Sequence, residues 1–148
     1  MPIAIRLATT HDLDTLAALF DAYRRFYAQP GDIRRARDFL CERMTRGESV
    51  VLLAEQDGEG RGFVQLYPMF SSVRTGRIYI LNDLFVAEEA RRQGVARNLL
   101  DAAAQHARDR GALRIVLETT RDNAPARSLY REAGWEEDST QWYSLALA

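Results

Sequence analysis

The sequence predicts one mixed α/β domain, a central sheet of about seven strands flanked by about four helices, and three observations lead there. The chain has 148 residues, enough to bury roughly 70% of the unfolded surface and hold a core without disulfides or a structural metal. Apolar residues alternate with a period of two in some segments and recur every three to four residues in others. These segments follow one another as strand, two helices, three strands, helix, strand, helix, two strands. With no internal repeat or low-complexity stretch between them, residues 1–148 read as a single domain.

Each element has its own signal. Ile3, Ile5 and Leu7 alternate as a strand, and Thr9 with Asp12 offers a capping box for the helix carrying Leu13, Leu16, Ala17, Phe20 and Tyr23 on one face. Pro30-Gly31-Asp32 breaks that helix and caps a second, with Ile33, Ala36, Leu40 and Met44 at helical spacing as far as Gly47. Val50 to Glu55, Gly62 to Tyr67 and Arg77 to Val86 then read as an antiparallel meander, turned at Asp57-Gly58-Glu59-Gly60 and looped through Ser71 to Gly76. Leu99, Leu100, Ala103 and Ala107 mark a helix over Asn98 to Arg110, stopped at Gly111 and followed by a short strand, Leu113 to Glu118. The crossover is long enough to make this strand parallel to the one ending at Val86. A last helix starts at Asn123, tolerates Pro125 in its first turn and ends at Gly134. Trp135 to Glu137 and Gln141 to Leu147 close the chain as a hairpin.

Composition narrows the function. No apolar run approaches the ~20 residues of a membrane span, and Met1-Pro2-Ile3-Ala4-Ile5-Arg6 has no signal-peptide pattern, so a cytoplasmic protein is expected. Twenty basic against 21 acidic side chains leave no general positive field for nucleic acid or an anionic membrane. An anionic ligand must be held locally. Every basic residue other than histidine is arginine. The single cysteine, Cys41, excludes an internal disulfide framework and offers no metal-ligand spacing, so no metal is expected.

The segment Leu81-Asn82-Asp83-Leu84-Phe85-Val86 runs through Ala87-Glu88-Glu89-Ala90 into Arg91-Arg92-Gln93-Gly94-Val95-Ala96 and then a helix. Gly94 and Ala96 leave backbone N–H groups uncovered at the helix N-terminus, where unpaired donors and the helix dipole favour phosphate oxygens. The Gly-Lys-Ser/Thr of a P-loop and the Gly-x-Gly-x-x-Gly of a dinucleotide fold are both missing. Here the sequence resembles the GNAT superfamily of N-acetyltransferases, whose signature is Gln/Arg-x-x-Gly-x-Gly/Ala between a strand and a helix; Arg91, Gly94 and Ala96 match it. A second stretch, Asn123-x-x-Ala126-x-x-Leu129-Tyr130 followed by Ala133-Gly134-Trp135, matches in the same order.

The resemblance implies a sheet splayed between its fourth and fifth strands, with acetyl-CoA as co-substrate lying in the gap. Carried over residue by residue, it gives the backbone of Phe85 and Val86 to pantetheine, Arg91, Arg92, Gln93, Gly94, Val95 and Ala96 to the pyrophosphate, and Asn123 to the arm near the thiol. It gives the Leu84 amide the polarisation of the thioester carbonyl. Asn123 and Tyr130 are seven residues apart, about two helical turns, and share a face. A phenol of pKa about 10 stays protonated and can donate to a departing thiolate whose parent thiol has a pKa of about 8.5, so Tyr130 is the expected acid.

Asp83 remains open between a base for the amine, an anchor for a substrate ammonium, and a carboxylate capping backbone at a bulge. Asn82-Asp83 resembles a pair in the histone and polyamine acetyltransferase branch, whose polyamine members carry Glu where this chain has Asn82. The acceptor pocket is expected from the loop after the first helix, with Tyr23, Phe26, Tyr27 and Gln29, and from the C-terminal hairpin; Tyr27, Asp83 and Trp142 are its candidate contacts. His11 and His106 are expected to face solvent, and the Arg34, Arg35 and Arg37 cluster fits either a contact with the 3′-phosphate of CoA or a protein partner or, equally well, an exposed helix face with no assigned role. The expected reaction is direct transfer to a small primary amine in a ternary complex, by a chain that is a homodimer like many relatives. The alternatives are a protein lysine or N-terminal acetyltransferase and a non-catalytic acyl-CoA sensor.

Overall fold

The computed structural model describes residues 2–148 and divides into two compact units, one ending at Glu118 and one running Thr119–Ala148. The first holds β1 (Ala4–Leu7), α1 (Leu13–Phe26), α2 (Ile33–Thr45), β2 (Val50–Gln56), β3 (Glu59–Ser71), β4 (Gly76–Val86), α3 (Val95–Asp109) and β5 (Ile115–Val116). Its sheet runs in the order β1-β2-β3-β4-β5, antiparallel as far as β4 and parallel between β4 and β5.

Strand alternation sorts the core into two faces. Val51, Leu53 and Phe63 are buried with Leu16, Phe20, Ala36 and Leu40 of α1 and α2. Leu52, Ala54, Val64 and Leu66 point the other way, where α3 crosses β2, β3 and β4 with Leu99, Leu100 and Ala103 fully buried. β3 and β4 approach closely at Gly62: a Cβ there would lie 2.7 Å from the carbonyl oxygen of Phe85.

Most predicted elements form, with shifted ends. The capping box sits on a short 3-10 turn, Thr10–Asp12, that leads into α1: the Thr9 amide donates to Asp12 Oδ2 at 2.8 Å and the His11 amide to Thr9 Oγ1 at 3.2 Å. Arg6 ties this corner to the sheet, donating to both Asp12 and Glu55 at 2.8 Å. The β3–β4 hairpin extends to Ser71↔Gly76, past the predicted end of the strand at Tyr67; Pro68 is tolerated because it lies beyond the end of the β2 ladder at Leu66. α3 begins at Val95, one turn before the predicted Asn98, because Val95 is buried and the Asn98 amide bonds the Gly94 carbonyl at 3.0 Å.

The sheet is smaller than predicted: five strands among the described residues, not seven, and β5 is two residues rather than Leu113 to Glu118. In the second unit α4 (Ala124–Glu132) starts at the Asn123 cap with Pro125 in its first turn, as predicted, and Gly134 with φ of 92° follows its end. The hairpin over Trp135 to Glu137 and Gln141 to Leu147 does not form. Trp142, Tyr143, Leu145 and Leu147 are all exposed, and without a buried face nothing selects a strand register.

Candidate active site

β4 carries the first part of the site. Its ladder with β5 comprises Tyr79↔Ile115 and Ile80↔Val116, whereas β4 continues to Val86. Leu81 to Val86 therefore have no strand on that side among the described residues. Leu84, Phe85 and Val86 are half-buried on this open edge. Backbone amides there suit a ligand that offers amides of its own.

The edge runs directly into the second part. After a 3-10 turn at Glu88–Ala90, Arg92 and Gly94 take left-handed backbone, φ of 65° and 76°, and Gly94 caps α3 without a side-chain hydrogen bond. The N–H groups of the first helical turn are thereby left for a ligand, and the helix dipole favours an anion. Arg91, Arg92, Gln93 and Gly94 are exposed and Ala96 half-buried, while Val95 is buried as the plug that anchors α3. Arg91 Nε donates to the Val86 carbonyl at 3.1 Å, so one side chain joins the cradle to the open edge.

Aromatic rings link this region to α1. The Arg91 guanidinium lies 5.9 Å from the Phe85 ring centre and 6.0 Å from that of Phe26. Tyr23 stands edge-on to Phe63, Phe85 and Tyr27, with Tyr27 5.1 Å away. Phe26 and Tyr27 are exposed at the end of α1. Tyr27 and Asp83 are thus brought to one aromatic cluster through Tyr23.

Asp83 is buried, and its neighbours are side chains rather than the backbone of a bulge. A register shift between Gln65 and Leu66 pairs Gln65 with Asp83 and Leu66 with Leu81, leaving Asn82 as the extra residue, exposed, on β4. Gln65 Nε2 donates to Asp83 Oδ2 at 2.7 Å, Asn82 Nδ2 to Oδ1 at 3.2 Å, and the Tyr23 hydroxyl donates from α1. Burial pushes the Asp83 carboxyl above the ordinary carboxylate range, and these three donors pull against it. Nearby, burial and the Asp83 charge push the Tyr67 phenol up to about 12, with Arg43 opposing.

Gln65 and Tyr67 did not come out of the sequence reading, although Gln65 stands between Phe63 and Tyr67 at an inward strand position where an apolar residue is expected. His106 is half-buried, not solvent-facing: it packs 5.8 Å from the Tyr79 ring, and burial lowers its pKa. Cys41 is only half-buried, against the α1–α2 core. Arg34, Arg35 and Arg37 are exposed as expected.

Asn123, Tyr130 and Trp142 belong to the second unit. Asn123 Oδ1 accepts from the Ala126 amide at 3.3 Å and so caps α4. Tyr130, half-buried, lies 6.2 Å from Trp135 by ring centres, and the Trp135 amide bonds the Tyr130 carbonyl at 2.9 Å. Trp142 is exposed. No group of three or more metal-ligating side chains occurs among the described residues, and no described helix is long and apolar enough to cross a membrane.

An open strand edge running into uncovered N–H groups at a helix N-terminus suits a ligand that carries both amides and phosphate oxygens. Residues 16–135 match the acetyltransferase (GNAT) family, and the chain belongs to that family and is an N-acetyltransferase. It is 50% identical over 135 residues to YhfO, an uncharacterized N-acetyltransferase of Bacillus subtilis, covering 91% of each chain. A crystal structure of a probable acetyltransferase superposes with a TM-score of 0.91 at 45% identity, over 100% of this chain and 99% of that one. Aminoglycoside N(6')-acetyltransferase type 1 of Klebsiella aerogenes is 32% identical over 102 residues, 68% of this chain and 67% of that protein.

Proposed function

We propose that this chain moves an acetyl group from acetyl-CoA to a small, cationic primary amine, polyamine-like in carrying its charge on ammonium groups, by direct attack in a ternary complex. The observation that carries the acceptor class is the buried Asp83 carboxylate bonded by the Tyr23 hydroxyl, with Tyr27 packed 5.1 Å from the Tyr23 ring: a carboxylate beside an aromatic cluster suits an ammonium. Similarity to an aminoglycoside N-acetyltransferase supports a small polyamine over a protein substrate.

In this reading Phe85 and Val86 hold the pantetheine arm along the open edge, Arg91 to Ala96 bind the pyrophosphate, and Asn123 lies near the thiol. Acetyl-CoA supplies the activated thioester. The neutral amine attacks its carbonyl carbon; the C–N bond forms, the C–S bond breaks, and the Leu84 amide stabilises charge on the oxygen. Tyr130 gives its proton to the departing sulfur, and the amine releases its own proton to water or through Asp83. Asp83 and Tyr27 orient the ammonium before it is deprotonated. Residues 1–148 work as a single cytoplasmic domain and associate as a homodimer, in which the exposed Trp142, Tyr143, Leu145 and Leu147 find cover.

The test is acetyl-CoA-dependent CoA release across polyamines, amino acids, aminoglycosides and lysine-bearing peptides, run beside Tyr130→Phe. Turnover of free amines well above peptides, slowed at least tenfold in kcat by Tyr130→Phe with acetyl-CoA affinity unchanged, is expected. Preference for a peptide moves the chain to the protein acetyltransferases. Full turnover by the phenylalanine variant removes Tyr130 from catalysis.

A further inference from the structure

We propose that Gln65 is a positioning residue that holds Asp83 as the carboxylate receiving the substrate ammonium, making Gln65 a determinant of amine recognition. The inference rests on the reading above that Asp83 faces the acceptor.

Gln65 is fully buried at a position where strand alternation calls for an apolar side chain, two residues from Phe63, whose ring packs on Phe20 and Tyr23. A leucine there would bury without cost. A buried amide incurs a desolvation cost at each polar end left unpaired, and Gln65 carries that cost at its carbonyl: Oε1 is buried with no hydrogen-bond partner. Its other end makes the 2.7 Å bond to Asp83. The side chain therefore sits in the core because of Asp83, not because of packing.

The bulge explains how the pair meets. The register shift places Asp83 directly across from Gln65 while Asn82 turns to solvent. None of the ion pairs among the described residues involves Asp83. The groups facing it are neutral: the Gln65 and Asn82 amides, the Tyr23 phenol from α1 and the Tyr67 phenol from β3, with Arg43 of α2 acting on Tyr67. A buried carboxylate held by neutral donors lacks a counter-charge, which is a costly state that an arriving ammonium relieves. Gln65 supplies a short hydrogen bond that favours the charged form of the carboxylate against burial and aims it before that cation arrives.

The experiment uses the full chain with Gln65→Leu, and Gln65→Met as an unbranched substitute should the leucine variant misfold. The Asp83 carboxyl is titrated by carbon-13 NMR, assigned with Asp83→Asn, and amine kinetics are followed against pH. Loss of the donor should move the Asp83 titration to higher pH, shift the acid limb of kcat/KM the same way, and raise KM for the amine at least tenfold while KM for acetyl-CoA holds. An unmoved titration in a folded Gln65 variant overturns the proposal and leaves the reading of Asp83 standing. A titration that moves while Asp83→Asn leaves amine kinetics unchanged overturns the assignment of Asp83 to the amine, and the proposal with it.

Discussion

Replacing Gly94 with alanine isolates the anion cradle from the rest of the fold. Gly94 holds φ at 76°, and a Cβ built there meets nothing within 4 Å. The substitution therefore carries no clash inside the protein, only the left-handed penalty of about 1–2 kcal/mol for an L-residue. Gly58 is a matched control: its φ is 78°, its Cβ also meets nothing within 4 Å, and it belongs to the β2–β3 turn rather than to Arg91 to Ala96. Both variants should lose about the same stability in urea denaturation. Acetyl-CoA binding should separate them. At Gly94 the methyl group stands beside the uncovered helix N–H groups and the backbone is pressed to leave the conformation that aims them, so the dissociation constant should rise at least tenfold, about 1.4 kcal/mol. Gly58→Ala should bind as the parent does. Isothermal titration calorimetry with acetyl-CoA reads the difference directly, and thermal shift against ligand concentration checks it by linkage. Equal affinity in the two variants would refute the placement of the pyrophosphate at Arg91 to Ala96.

Two further outcomes follow from the structure. Arg6 holds the Asp12 carboxyl down at about 2, below its ordinary 3.8, so this group contributes stability that is complete above the unfolded pKa and lost as pH falls through about 2; with Arg6 partly exposed, screening limits it to about 1 kcal/mol. Asp12→Asn should therefore be less stable than the parent by about that amount at pH 7 and level with it near pH 2, as read by urea denaturation at both. Equilibrium sedimentation should return twice the 16.8 kDa chain mass, and Trp142→Ser with Leu145→Ser should shift it towards the monomer; a monomer at every working concentration rejects the homodimer.

The sequence by itself determined whatever depends on neighbours along the chain. The capping residues Thr9, Asp32 and Asn123, the break at Pro30-Gly31, the inward alternation of Val51, Leu53 and Phe63, and the glycine opening α3 are local choices that few residues express, and the folded chain keeps each of them. The uncovered N–H groups at the start of α3 were legible for the same reason: they and Gly94 lie within one turn of helix. The surroundings of Asp83 were not. Asp83 could be read as base, anchor or bulge cap because nothing within several residues says what it touches, and only pairing with β3 brings Gln65 against it across 18 positions of chain. The two-residue β5 and the unformed C-terminal hairpin are likewise tertiary outcomes: an alternating apolar pattern specifies a face, and a strand exists only where a partner offers both a ladder and something to bury that face against.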